Sequence, residues 1–170
     1  MTQRLPAVDP TAAGMRVVKA LRQAESWFGS AGGVVHTMAN SPAALIGYLA
    51  LDVALSGATL DERLRLQIAL AVAEVNDCRT CVDDSIAAGK RIGLDETAIL
   101  AARRGSSSDR KTETALQFVR KVAEYRGALT DEEFERMRRF GYTNEETAEI
   151  IANVVLCIYA NYFDIIARPC

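Results

Sequence analysis

Histidine occurs once in this sequence, at position 36, and cysteine only four times in 170 residues. A structural zinc site wants four ligands, ordinarily two paired sets. Beyond one close cysteine pair this chain offers only Cys157, Cys170 and His36, each isolated, so no metal or other cofactor is expected. Excess charge is also missing. Twenty basic and twenty-two acidic side chains leave a formal charge of −2, which excludes the positive field a strongly basic nucleic-acid binder needs. No run of about 18 apolar residues is present, so no segment is expected to span a membrane. The opening MTQRLPAVDP has no apolar core behind its basic residue and does not read as a secretory signal. A reducing, cytoplasmic setting is therefore expected, where cysteines do not serve as a disulfide framework. No segment alternates apolar and polar residues with β-branched enrichment, so no strand is expected, and no internal repeat is evident.

What is present is helix punctuation around apolar stretches that make up 49% of the chain. Asp9-Pro10 reads as a helix start, with proline near the first position, where a missing N–H is harmless. That helix would run through Met15, Val18 and Leu21 toward Trp27. The segment SAGGVVHTMAN reads as a loop, in which His36 would satisfy backbone groups. Ser41-Pro42 opens an apolar helix through AALIGYLALDVAL. A helix without a polar stripe is central or lies at a subunit interface. Thr59-x-x-Glu62, Thr130-x-x-Glu133 and Thr143-x-x-Glu146 read as capping boxes. Asp95 and Asp109 open further helices, and Gly93 and Gly127 close them. The last helix runs from EETAEIIANVV to Ala167. The pattern predicts an all-α bundle of seven or eight helices in a single domain over residues 1–170, with residues 1–10 a loose N-terminal segment.

One motif carries chemistry. Cys78-Arg79-Thr80-Cys81 lies where one helix ends and the next begins, with Cys81 in the first turn of the second. A helix N-terminus carries partial positive charge and free N–H groups, and both favour a thiolate. The spacing lets the two sulfurs meet, so one thiolate can attack a peroxide or disulfide and its neighbour can close an internal disulfide. Asp77, Asp83 and Asp84 oppose thiolate formation and Arg79 favours it. The competing reading is a pair of small buried cysteines without chemistry, since free cysteine packs well in cores. Cys157, in an apolar run, reads as a core residue. Cys170 reads as an exposed terminal thiol.

The stretch RLRLQIALAVAEVNDCRTCVDDSIAAGKRIGLDETAI resembles the core of the carboxymuconolactone decarboxylase and AhpD-like alkylhydroperoxidase superfamily. MANSPAALIGYLAL and GYTNEETAEIIANVVLCIYANYFDIIA resemble flanking segments of its AhpD-like subgroup. The resemblance implies an AhpD-like helical fold assembled as a homo-oligomer, often a trimer or hexamer. It implies a CxxC pair that reduces peroxides, with Cys81 attacking and Cys78 resolving.

The chain departs from that pattern at the proton relay. Redox members carry a glutamate twelve residues before the first cysteine, where this chain has Leu66. They carry a histidine four residues after the second cysteine, where it has Ser85. Leucine cannot exchange a proton, and serine only passes hydrogen bonds. Near the end, relatives often read Asn-Tyr-Phe-Asn-His, and this chain reads Asn161-Tyr162-Phe163-Asp164-Ile165. The site is thus expected at Cys81, Cys78 and Ser85, with Asp84, Asp164 and Arg79 as possible accessories. The expected activity is a thiol-dependent oxidoreductase, peroxidase-like or disulfide-exchanging, acting on a small-molecule substrate such as a peroxide and renewed by a thiol reductant protein. The alternative is a non-redox small-molecule binder, or a decarboxylase or biosynthetic enzyme on the same fold.

Overall fold

The computed structural model describes residues 4–28 and 33–168. Among them the structure is helical throughout, in the order α1 (Met15–Phe28), α2 (Gly33–Met38), α3 (Pro42–Ser56), α4 (Glu62–Val75), α5 (Arg79–Arg91), α6 (Glu96–Arg103), α7 (Arg110–Glu124), α8 (Asp131–Arg139) and α9 (Asn144–Ala167). The eight longer helices correspond to those read from the sequence, and the six-residue α2 is added to them. Cys170 lies outside the described residues, as does part of the segment expected to be loose.

The chain packs as two compact units, residues 1–54 with 159–170, and residues 55–158. In the first, α1, α2 and α3 bury Leu21, Ala24, Val35, Met38, Leu45 and Leu49. The rings of Tyr48, Tyr159 and Phe163 stack at 5.9 and 5.1 Å, and the Tyr159 hydroxyl donates to the Ala44 carbonyl. Two expectations change in this unit. Helix α1 starts at Met15 rather than at Pro10, because the Asp9 carboxylate takes both the N–H and the hydroxyl of Thr11 and closes a separate turn ahead of Gly14. The expected loop after Trp27 contains α2. Glycine and valine disfavour helix locally, but burial of Val35 and Met38 outweighs that preference. His36 does meet backbone: its Nδ1 lies 3.1 Å from the Val8 carbonyl, and its own carbonyl accepts the Val8 N–H.

In the second unit α4 is the central element, packed on α5, α6 and α7. Ile68, Leu70, Ala71 and Val72 are fully buried along it, each large side chain contributing about 1.5–3 kcal/mol by leaving water. Leu116 and Val119 of α7 and Ile150 and Val154 of α9 join the same core. Local capping follows the sequence closely. Asp95 and Asp109 accept N–H groups at the starts of α6 and α7, and both later Thr/Glu boxes form. Gly93 and Gly127 take left-handed backbone angles after α5 and α7.

The expected box at Thr59 does not form. Asp61 caps α4 instead, and the N–H groups of Thr59 and Leu60 go to the Glu149 carboxylate at 3.0–3.1 Å. A partner ninety residues away has displaced the local one. Helix α9 also departs from the reading of apolar runs. By length and composition it is apolar enough to cross a membrane. It reaches that average around interspersed polar groups, among them the buried Asn153 and Asn161, while Ile150 and Val154 serve a core.

Candidate active site

The cysteine pair is built by the way α4 hands over to α5. Asn76 ends α4, and Asp77 then adopts a left-handed φ of 52°. The Asp77 N–H bonds the Glu74 carbonyl at 3.2 Å, and the Cys78 N–H reaches back to the Ala73 carbonyl at 3.0 Å. This is the Schellman closure, usually made with glycine at the left-handed position; aspartate is one of the few other residues that tolerate it. The Cys78 carbonyl accepts the Val82 N–H at 2.9 Å, so Cys78 closes one helix and serves as N-cap of the next. Three residues reverse the chain, and Cys81 falls in the first turn of α5 as the spacing implied.

Cys78 and Cys81 are joined as a disulfide, with 5.2 Å between their α-carbons. Their surroundings differ. Cys78 is 1% exposed and Cys81 is part-exposed. The Cys78 side chain makes no cap hydrogen bond, so the positive end of α5 acts on the sulfur of Cys81 without competition from that side chain.

The other residues singled out in the sequence are distributed as follows. Ser85 is half-buried one turn beyond Cys81, on the same face of α5. Arg79 and Asp84 are exposed on that helix. Leu66, where relatives carry the relay glutamate, is partly buried against the core. Asp164 belongs to the other unit, near the end of α9, and pairs with Arg168 at 2.7 Å. Cys157 is partly buried on α9 and packs against the core, as read from the sequence.

A cleft of about 330 Å³ opens beside the motif, lined by Asp77, Arg79, Val82 and Asp83 from the cysteine segment and by Glu74, Ile86 and Arg103. Glu74 and Arg103 pair at 2.8 Å on its wall. Arg103 was not evident from the sequence as a site residue. Its only local sign is a basic residue in the last turn of α6, and its partner lies 29 positions away. The cleft therefore offers two guanidinium groups and three carboxylates around a small apolar floor; neither cysteine lines it, and Cys81 and Ser85 fall on another face of α5 from Arg79, Val82, Asp83 and Ile86.

Known structures share this architecture. A protein from Ralstonia eutropha JMP134, described as an alkylhydroperoxidase AhpD core and an uncharacterised peroxidase-related protein, matches with a TM-score of 0.84 at 20% identity, over 100% of this chain and 93% of that one. A variant of the debrominase Bmp8, in complex with 2,3,4-tribromopyrrole, matches with a TM-score of 0.82 at 18% identity, over 99% and 92% of the two chains. A protein of unknown function from Agrobacterium tumefaciens, described as a putative antioxidant defence protein AhpD, matches with a TM-score of 0.68 at 23% identity, over 77% and 94%. At these identities the likeness is one of fold. No curated protein matches the chain. The model of the carboxymuconolactone decarboxylase family matches residues 40–125, which contain α3 to α7 and both paired cysteines, and the chain belongs to that family.

Proposed function

We propose that the protein is a thiol-dependent oxidoreductase in which Cys81 attacks and Cys78 resolves. The observation that carries this is the unequal exposure of two bonded cysteines at one helix start, the outer one part-exposed in the first turn and the inner one 1% exposed. In the reduced protein, the Cys81 thiolate attacks the terminal oxygen of a hydroperoxide. The O–O bond breaks, a sulfur–oxygen bond forms, and the departing alkoxide takes up a proton to leave as an alcohol. The Cys78 thiol then displaces water from the sulfenic sulfur and closes the disulfide. A thiol reductant protein returns two electrons and two protons.

A second reading is favoured by Leu66 and Ser85, which leave the pair without a relay. On that reading the cleft holds a small molecule for non-redox binding, decarboxylation or another transformation. The debrominase of similar fold was crystallised with a halogenated pyrrole, which supports small-molecule binding on this fold and not the absence of redox chemistry. Consumption of an organic hydroperoxide by the reduced protein with a dithiol present decides between them. Turnover lost in Cys81→Ser supports the first reading. A rate no greater than that of Cys81→Ser overturns it in favour of the second.

A further inference from the structure

The unit of residues 55–158 holds a second, larger cleft of about 480 Å³. Three helices begin at it, and a carboxylate caps each. Asp61 accepts the Leu64 N–H, Asp109 the Thr112 N–H and Glu146 the Thr143 N–H, all at 2.7 Å. Lys111 neutralises Glu146 at 3.2 Å and lies over the Tyr142 ring. Asp61 and Asp109 form no ion pair within 4.0 Å among the described residues, although Thr112, through its N–H and hydroxyl, and the Lys111 charge and N–H act on Asp109. Arg63 is exposed at the rim.

Gln67 is the independent sign that something is held here. It is 6% exposed and lines the cleft, yet its side-chain amide makes no hydrogen bond to any described residue. No described side-chain polar atom is both sealed from solvent and unpaired, so what surface this amide keeps is turned to the cleft. An amide left unpaired by the chain, with surface open to the cleft, can take a partner that enters there. The sign of the field narrows the choice. Three carboxylates, Asp61, Asp109 and Glu146, line the cleft against two cations, Arg63 and Lys111, so negative charge is in excess; burial, and then those carboxylates, hold the Tyr142 hydroxyl above its ordinary range. Asp61, Asp109 and Glu146 do not bring one oxygen each within 4.8 Å of one another, so the three do not gather around a single point as ligands of one ion would. An extended group with several N–H donors can reach acceptors spaced further apart.

We infer that this cleft binds a small organic cation, a primary ammonium or amidinium compound, with Asp61 and Asp109 as its counter-charges and the Gln67 carbonyl accepting at the buried end. The site is separate from the thiol chemistry and does not depend on it.

The probes are n-butylammonium and benzamidine, with n-butanol and butyrate as neutral and anionic controls, followed by amide chemical shifts of the intact protein. The cations are expected to move signals in residues 59–67 and 107–112. Asp61→Asn combined with Asp109→Asn keeps two good N-caps while removing both charges, and should weaken binding about ten-fold, as for two partly exposed charges. Gln67→Leu, which loses only the amide, should weaken it as well. Cys81→Ser should bind as the unaltered protein does. Silence with every probe would overturn the inference and leave the cleft to water. Equal shifts with n-butanol, preference for butyrate, or undiminished binding by the double variant would overturn it too.

Discussion

Cys81 is bonded to Cys78, and the two meet solvent differently: Cys78 is 1% exposed at the N-cap of α5, and Cys81 is part-exposed in the first turn of that helix. Access governs which thiol an external reagent reaches first. After reduction, iodoacetamide should therefore label Cys81 ahead of Cys78. Cys78→Ser treated with one equivalent of hydroperoxide should stop at a sulfenic acid on Cys81 that dimedone captures, and Cys81→Ser should give none at Cys78. Peptide mass spectrometry reads both. Labelling of Cys78 first would reverse the assigned roles.

Peroxide turnover should be slow at neutral pH and rise toward alkaline pH, because neither Leu66 nor Ser85 can supply the proton transfer. General acid–base help is typically worth ~10²–10⁴-fold. Leu66→Glu with Ser85→His should thus raise turnover by about ten-fold or more and flatten the pH profile, and either change alone should do less, since the pair acts as a unit. Leu66 is partly buried against the core, so the new carboxylate costs stability unless paired. Circular dichroism of the double variant separates a misfolded protein from an inactive one. A folded variant with unchanged turnover would favour the non-redox reading.

Glu149 ties α9 to the chain ahead of α4. Burial pushes its carboxyl up, but the N–H groups of Thr59 and Leu60 outweigh that and hold it below the ordinary carboxylate value. A depressed pKa in the folded state means stability that is present above the unfolded value and lost as pH falls through the folded one. Glu149→Ala should lower stability by ~1 kcal/mol at pH 7, a fall in Tm of about 2–4 °C for a chain of this length. The gap should close as pH drops below about 4. Thermal denaturation at several pH values tests this, and a gap independent of pH would contradict it.

Apolar side chains stand exposed on two helices: Ile46 and Val53 on α3, and Val155, Tyr162 and Ile166 on α9. Each set repeats at helical spacing, as a stripe that meets a partner does. The protein is expected to be a homo-oligomer, a trimer or hexamer, in which a second copy covers these stripes. Light scattering should give a multiple of the chain mass, and Val155→Glu with Ile166→Glu should shift it toward the monomer. A monomeric mass for the unaltered protein at micromolar concentration would refute this.

The sequence by itself determined whatever depends on neighbours in the chain. Helical spacing and helix ends are short-range, so Asp95, Asp109, the boxes at Thr130 and Thr143, and the stops at Gly93 and Gly127 were legible without coordinates. The location of Cys81 in the first turn of α5 was legible for the same reason. Tertiary structure decided what depends on distant partners. It gave the Thr59 N–H to Glu149 rather than to Glu62, set Arg103 against Glu74 on the cleft wall, and made a helix of the valine-rich α2. It also brought the starts of α4, α7 and α9 to one cleft around the unpaired amide of Gln67. Local preference is worth a few tenths to ~1 kcal/mol per residue, whereas burial and long-range hydrogen bonds match or exceed that, and where they conflict the packed arrangement prevails.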